Sequence, residues 1–292
     1  MGELRDRMVR DMDVRRFSGR TVEAYVAGVR GLAKYYRRPP DQLSNDEVQR
    51  YLLYLGEERR LSVSTCNQIR CALKFLYGVT LQRPQAVLAV PPLRREQKLP
   101  EILSRQEVGR IVAATRTLRE RLLLMATYGG GLRVSEVIAL RPTDLDIERE
   151  VIRVEQGKGK KDRYTVLSER LMNEVGRYYT VYGRPEQWVF AQRHDASHHM
   201  DVSTAQKIYC TAKRRAGVTK IGGIHALRHG FATHCIEAGM DLPTLARMLG
   251  HTSVATTMRY VHTTTNRVSA QISPLDRLLL SEPPDSMPDA AK

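Results

Sequence analysis

The sequence has little of what defines several common classes of protein. Only four cysteines occur in 292 residues, and no two of them form a CxxC pair. This argues against a disulfide scaffold and a cysteine zinc finger and predicts a reducing compartment. No stretch approaches the roughly 20 apolar residues of a membrane span. The charged N-terminus is unlike a signal peptide, and a glycine-rich phosphate loop for ATP is missing.

Acidic side chains are outnumbered by basic ones. Lys and Arg total 47 against 32 Asp and Glu, which gives a formal net charge of +15 and an isoelectric point near 9.9. The excess occurs both in the first hundred residues and in the rest, so a basic tail on a neutral body is excluded. Nucleic acid, bound through its phosphates, is therefore the expected partner. The length suggests about two domains.

The first third of the chain has the periodicity of helices. Ser18 can cap one helix, Ser44 and Glu47 form the capping box of a second, and Ser62 can begin a third. Pro39 and its neighbour stop the first of these. We predict a helical bundle over residues 1–90.

A change of composition follows the bundle. Residues 91–102 begin with the proline-bounded, charged segment PPLRREQKLP and are predicted to be a linker. Residues 103–281 form the predicted second domain, and the proline-rich acidic tail 282–292 is expected to be disordered.

The second domain is predicted to be mostly helical with one small β element. Ser104 and Glu107 form another capping box, and Leu118 to Tyr128 is an apolar helix that ends in glycines. Two short β-rich runs flank a lysine-rich turn and predict a hairpin: Val151–Val154 and Tyr164–Leu167.

Two groups of residues are candidates for chemistry. Arg133 and Glu136 share one face of a helix that begins after glycines, but an arginine paired with a glutamate is more often a structural ion pair. His225 and His229 have the spacing of a helical zinc pair, but the glutamate of HExxH is missing and Arg228 disfavours a cation. We predict no metal there. Three further histidines lack carboxylate or thiol support and favour a surface loop: His194, His198 and His199.

The second domain nevertheless contains what is needed to bind and attack a phosphodiester. Two arginines can hold one phosphate bidentately, and histidines can add hydrogen bonds. A cationic pocket also favours ionisation of a phenol, whose free pKa of about 10 leaves it a poor nucleophile. This chemistry suits transesterification with tyrosine as the covalent nucleophile. The residues concerned are Arg133, Lys158, His225, Arg228, His251 and Tyr260.

The order and spacing of five motifs resemble those of the tyrosine recombinases, the phage integrase family, and within it the Xer-like branch. The resemblance spans nearly the whole chain and is most specific after the linker. The motifs are GLRVSE (131–136), GKGKKDR (157–163), HALRHGFATH (225–234), LGH (249–251) and TTMRY (256–260).

This resemblance implies a mainly α fold: an N-terminal core-binding bundle over 1–90 and a catalytic domain over 103–281 with a small β-hairpin. It further implies that Arg133 and Arg228 hold the scissile phosphate and stabilise the transition state. Tyr260 is the implied nucleophile, giving a 3′-phosphotyrosyl link.

Lys158 is the implied general acid for the leaving 5′-hydroxyl. His225 is the implied general base or phosphate ligand, and His251 the second phosphate ligand. The resemblance gives Glu136 and His229 supporting places. Residues expected to contact the DNA backbone are Lys160, Lys161 and Arg163.

The implied activity is site-specific recombination of double-stranded DNA through a Holliday junction, without metal, ATP or another cofactor. A dimer on each site and a homotetramer or heterotetramer on two sites are expected. A helix over 267–280 is a candidate for docking on a neighbouring protomer. The implied setting is the bacterial cytoplasm, on nucleoid DNA of a chromosome or mobile genetic element.

Two other functions are compatible with the same residues. A type IB topoisomerase-like enzyme would use this chemistry to relax supercoils as a monomer. A non-catalytic DNA-binding protein could retain the fold, although binding alone does not need Tyr260. If Tyr260 is not the nucleophile, Tyr209 and Tyr164 are the alternatives.

Overall fold

The chain forms two compact units, Met1–Lys98 and Leu99–Lys292. The computed structural model describes residues 2–88, 91–93, 101–155, 162–251 and 253–261. Most of the predicted linker, the tip of the hairpin, the 267–280 segment and the acidic tail lie outside the described residues.

The first unit is a helical bundle, as predicted. Ser18, Ser44 and Ser62 each accept a hydrogen bond from a backbone N–H of the first helical turn, and Glu47 completes the capping box. The helices are α1 (Gly2–Val14), α2 (Gly19–Tyr36), α3 (Asn45–Glu57), α4 (Val63–Phe75) and α5 (Gln85–Leu88).

Helix α1 was not predicted, because charge dominates its sequence. It buries only Met8 and Met12, which join Leu32, Leu73 and Tyr77 in the core of the first unit. Such sparse apolar spacing leaves a weak periodic signal.

The second unit is mostly helical around a small sheet. Its helices are α6 (Arg105–Ala113), α7 (Leu118–Gly129), α8 (Val134–Ile138), α9 (Glu169–Tyr182), α10 (Val202–Arg215), α11 (His225–Glu237), α12 (Leu242–Leu249) and α13 (Val254–Val261). The predicted capping box at Ser104 is present. No described helix is long and apolar enough to cross a membrane.

The predicted hairpin is present and gains a third strand. Strands β1 (Leu145–Asp146), β2 (Val151–Val154) and β3 (Arg163–Val166) pair antiparallel in that order. Val151 lies opposite Val166, and Val154 lies opposite Arg163. In this register Arg163, the first residue of β3, pairs with the last residue of β2.

Helix α11 is central to the second unit and is buried on nearly every side. It packs against α7, α12 and α13. Gly131 lies at the end of α7 with φ +58°, and a Cβ there would lie 2.4 Å from the Phe231 ring. Only glycine allows the chain to turn this close to α11, where the arginine cluster is built.

Candidate active site

The structure brings together most of the predicted site residues that it describes. Arg133 and Glu136 come from the start of α8, and His225, Arg228 and His229 come from α11. The turn after α12 supplies His251, and α13 supplies Tyr260. Residues more than a hundred positions apart thus meet in one cluster.

Glu136 is the negative centre of the cluster. Its carboxylate accepts hydrogen bonds from the Arg133 backbone N–H and guanidinium, both at 2.7 Å. Arg163 donates to both carboxylate oxygens at 2.9 and 2.7 Å, and Arg228 lies 3.6 Å away. One carboxylate therefore faces three guanidinium groups, so the cluster keeps an excess of positive charge.

Main-chain carbonyls at the C-terminal end of α12 accept hydrogen bonds from the same three arginines. Arg163 donates to the carbonyl of residue 248 at 2.8 Å, Arg228 to that of residue 249 at 2.6 Å, and Arg133 to that of residue 250 at 3.3 Å. Gly250 adopts the left-handed conformation that ends the helix. These carbonyls form the negative end of the helix dipole, which favours cations.

Burial and charge set the protonation of this cluster. Burial alone would raise the pKa of Glu136, but hydrogen bonds and charge from Arg163 and then Arg133 lower it to about 2. Burial, with the charge of Arg133, lowers the pKa of Arg228 to about 10. Lost hydration, then the charges of Arg228 and Arg133, lower the pKa of His225. At neutral pH the pocket therefore holds charged guanidinium groups beside an imidazole that favours its neutral form.

Tyr260 lies within this cluster and is only 7% exposed. Its hydroxyl oxygen is 3.0 Å from His229 Nδ1. The ring of His251 lies nearly parallel to it, with 6.3 Å between centroids and 12° between planes. His251 Nδ1 is 2.8 Å from Thr257 Oγ1, and its Nε2 is 3.3 Å from an Arg228 nitrogen. The phenol is thus packed between two imidazoles next to an arginine.

Helix α11 carries a second histidine–tyrosine pair away from this cluster. His234 Nδ1 is 2.9 Å from the Tyr128 hydroxyl. Burial lowers the pKa of His234 and raises that of Tyr128. This pair has the same chemistry as His229 and Tyr260 but contacts none of the three clustered arginines in a described hydrogen bond.

The three histidines between α9 and α10 lie in a loop, as predicted, but the prediction that they lack carboxylate support is wrong for one of them. His198 pairs with Asp195 in an exposed segment between α9 and α10, and His199 packs edge-on against Trp188. Among the residues that the structure describes, no group of three or more histidine, cysteine or acidic side chains could hold a metal.

Arg163 corrects one prediction. It was expected to contact the DNA backbone, but it is 8% exposed and its guanidinium is engaged by Glu136 and a main-chain carbonyl. In β3, Tyr164 faces solvent while Arg163 and Thr165 face inward, the reverse of the apolar-in pattern. Thr165 donates to the Gly130 carbonyl, so both polar side chains find partners inside.

Arg163→Gln is expected to lower the free energy of unfolding by about 3 kcal/mol, because it breaks a buried ion pair and leaves Glu136 undercompensated. The salt dependence of DNA affinity is expected to stay unchanged. Urea unfolding and binding titrations at several salt concentrations measure the two effects.

Arg149→Gln is the matched control, since this arginine is exposed and its ion pair with Asp146 is screened by water. It should cost at most about 1 kcal/mol. Unchanged unfolding of Arg163→Gln together with a salt slope reduced by about 1 would restore Arg163 to the DNA interface.

The three lysines at the hairpin tip, Lys158, Lys160 and Lys161, lie outside the described residues.

A cleft of about 580 Å³ opens beside Arg133 and Glu136 and is also lined by Arg141, Arg153 and Trp188. The Arg141 guanidinium carbon is 5.0 Å from the Trp188 ring centroid. The cluster thus opens to solvent through a groove lined by both arginines and acidic side chains.

Three contributions to the site were missed by sequence reasoning: the buried Arg163, the carbonyls that end α12, and Thr257. The carbonyls leave no sequence signal, because every residue has one. Thr257 falls within the TTMRY motif, but only the packed structure shows that it contacts His251.

Comparison with known proteins gives the family. Residues 101–267 match the Phage integrase family, and residues 4–86 match the phage integrase N-terminal SAM-like domain. A relative from Sinorhizobium fredii is 39% identical, covering 99% of this chain and 93% of its own. The tyrosine recombinase XerA of Pyrococcus horikoshii is 33% identical, with 82% and 83% covered.

Solved structures share the fold. The crystal structure of XerA recombinase superposes with a TM-score of 0.54 at 27% identity, covering 92% of this chain and 96% of that one. A lambda integrase dimer bound to a COC′ core site gives a TM-score of 0.72 at 16% identity, covering 89% and 94%.

A mostly helical unit with a small antiparallel sheet and a cluster of arginines, histidines and a tyrosine defines the class of DNA strand-transferring enzymes. The chain belongs to the Phage integrase family, the tyrosine recombinases, with Xer proteins among its relatives. It is a site-specific DNA recombinase.

Proposed function

We propose that this recombinase cuts and rejoins DNA through a covalent link between Tyr260 and a 3′-phosphate. The observation that carries the proposal is the buried Tyr260 hydroxyl beside the arginine cluster. A hydroxyl beside positively charged groups is favoured to develop negative charge, as a nucleophile must.

Arg133 and Arg228 are proposed to hold the scissile phosphate. Both are fixed from behind by Glu136 and by the end of α12, so they need little reorganisation when charge develops on the phosphate oxygens. Arg228 also donates to the Gly131 carbonyl at 2.8 Å. This bracing fits groups that stabilise a pentacoordinate transition state.

The histidines and the hairpin complete the proposed site. His225 and His251 are proposed phosphate ligands, and His225 has a lowered pKa that favours its neutral form. Lys158 is proposed to protonate the leaving 5′-hydroxyl, and Lys160 and Lys161 to contact the DNA backbone. Each phosphotyrosyl bond conserves the energy of the phosphodiester, so the proposed reaction needs neither ATP nor a metal.

We further propose an assembly and a division of labour. Crystal structures of lambda integrase include a dimer on a core site and a tetramer on a Holliday junction. By analogy, this chain is proposed to act as a dimer on each site and as a tetramer on two. Residues 1–90 would bind core DNA, 91–102 would link, 103–281 would catalyse, and 282–292 have no assigned role. The proposed setting is bacterial cytoplasm, on nucleoid DNA.

The test is covalent trapping. Nicked duplexes tiled across the DNA that flanks the coding sequence are incubated with the protein and a metal chelator and then resolved on denaturing gels. We expect a slow, protease-sensitive band, and peptide mapping by mass spectrometry should place the nucleotide on Tyr260. Attachment to Tyr164 or Tyr209 would overturn the assignment of the nucleophile. Relaxation of plasmids without exchange between two sites would favour the topoisomerase-like alternative.

A further inference from the structure

The hydroxyl of the proposed nucleophile, Tyr260, has a histidine within hydrogen-bond distance. Helices α11 and α13 pack together, and this packing brings His229 Nδ1 to 3.0 Å from the Tyr260 hydroxyl. The two ring centroids are 5.6 Å apart with 46° between planes, so the contact is made at the edge of the imidazole. Both groups are held by helices rather than by loops.

We propose that His229 is the general base that accepts the proton of Tyr260 during strand cleavage. The inference rests on the proposed function, in which Tyr260 attacks the phosphate. With its own proton on Nε2, the imidazole offers a lone pair on Nδ1 to the phenol. A histidine within hydrogen-bond distance of the proton meets the first, geometric condition for a general base.

The step balances without a further reactant. The Tyr260 oxygen forms a bond to phosphorus while its proton moves to His229 Nδ1, and the bond from phosphorus to the 5′-oxygen breaks. The leaving oxygen takes a proton from the general acid. In rejoining, the 5′-hydroxyl returns its proton to the general acid as its oxygen attacks the phosphotyrosine, and the His229 imidazolium returns its proton to the departing phenol.

His251 is placed to do something else. Its two ring nitrogens lie in hydrogen-bond reach of Thr257 and Arg228, and its ring plane is nearly parallel to that of Tyr260. Both nitrogens of His251 thus have neighbours other than the Tyr260 hydroxyl. His251 therefore packs against the phenol, whereas His229 meets the phenol through a nitrogen.

His225 is likewise less suited to this task than His229. It lies at the start of α11, where the charges of Arg228, Arg133 and Glu136 act on its ring. That position fits a phosphate ligand. The two histidines of the HALRH segment are thus assigned different partners: His225 the substrate phosphate and His229 the nucleophile.

The principal experiment measures the rate of covalent complex formation by His229→Asn on the nicked duplex that traps the wild type. Asparagine places an amide near the Nδ1 position and can hydrogen-bond to Tyr260 but cannot take its proton. We expect a rate lower by about 10²- to 10⁴-fold, with DNA affinity and thermal unfolding unchanged. His234→Asn is the matched control, since it alters the other Nδ1–tyrosine pair of α11, and it should cleave at the wild-type rate.

A second substrate distinguishes a residue that accepts the Tyr260 proton from one that donates a proton to the leaving group. When sulfur replaces the bridging 5′-oxygen, the leaving group departs without a proton. This substrate should restore cleavage by Lys158→Ala, which lacks the proposed general acid. It should leave His229→Asn slow, because the phenol still has to lose its proton.

A third measurement leaves His229 unchanged and varies the acidity of the phenol. Fluorotyrosine at position 260 is a more acidic phenol. With His229 as acceptor, the rate at neutral pH should change little, because the base takes the proton in either case. Without a base, the rate should rise with the fraction of phenolate.

The outcomes separate this inference from the proposed function. If the wild type traps no DNA through Tyr260, the proposed nucleophile fails and the inference fails with it. If the wild type traps DNA and a folded His229→Asn does so equally fast, or if the fluorinated phenol reacts faster in proportion to its ionisation, His229 is not the base and Tyr260 remains the nucleophile.

Discussion

Tyr260→Phe is expected to remove covalent complex formation below detection, because phenylalanine has no oxygen to attack phosphorus. DNA affinity should be retained, since the cationic groups that we propose to bind phosphates are unchanged. The lost hydrogen bond to His229 should cost about 1 kcal/mol of stability, too little to unfold the unit. Denaturing gels measure the covalent complex and mobility shifts measure binding.

Tyr128→Phe is the control for this substitution. It removes the Tyr128 hydroxyl, which contacts His234 on α11 as the Tyr260 hydroxyl contacts His229 on that helix. It should therefore have a similar stability cost and leave cleavage intact. A covalent complex that persists in Tyr260→Phe would show that another residue attacks. Tyr209 is an unfavourable substitute because it is fully buried and burial raises its pKa to about 12.

Glu136→Gln is expected to destabilise the fold by about 3 kcal/mol at neutral pH. The carboxylate has a pKa of about 2 in the folded chain against an ordinary value of 4.5, and each pKa unit corresponds to about 1.4 kcal/mol. Because the folded pKa is the lower one, this stabilisation is complete above about pH 5 and is lost as the pH falls towards 2. Urea unfolding of both proteins at several pH values measures the difference.

The gap between the two unfolding curves should therefore close on acidification. Cleavage should fall too, since Arg133 and Arg228 lose the group that braces them. Glu120→Gln is the control, because Glu120 is a capping carboxylate outside the cluster, bonded to the Arg116 backbone N–H. A gap that stays constant from pH 7 to pH 3 would mean that the charge of Glu136 is not what stabilises the fold.

Local signals predicted much of the fold. Serine caps at Ser18, Ser44, Ser62 and Ser104 begin the helices where the sequence indicates, because a capping hydrogen bond is made within one turn. The hairpin was also predicted, but the two-residue β1 was not. Its strand character comes from pairing with β2 and not from its own two residues.

The membership of the cluster was predicted from motifs, but its internal contacts were not. Arg163 seemed a surface residue because it follows a lysine-rich turn, yet it is drawn inward by a carboxylate 27 positions earlier. The His229–Tyr260 contact depends on how α11 packs against α13. Such contacts are set by tertiary packing, which residue spacing along one helix does not encode.

The contacts that hold the arginines in place have a consequence for when the site can form during protein synthesis. Arg133 and Glu136 leave the ribosome early, but the carbonyl that Arg133 meets at Gly250 is 117 positions later, and Tyr260 follows it. Because chains emerge from the N-terminus onward, a growing chain lacks both the α12 carbonyls that hold these arginines and the proposed nucleophile until almost the whole second unit has been made. A site-specific recombinase of this architecture is therefore synthesised without an active N-terminal fragment.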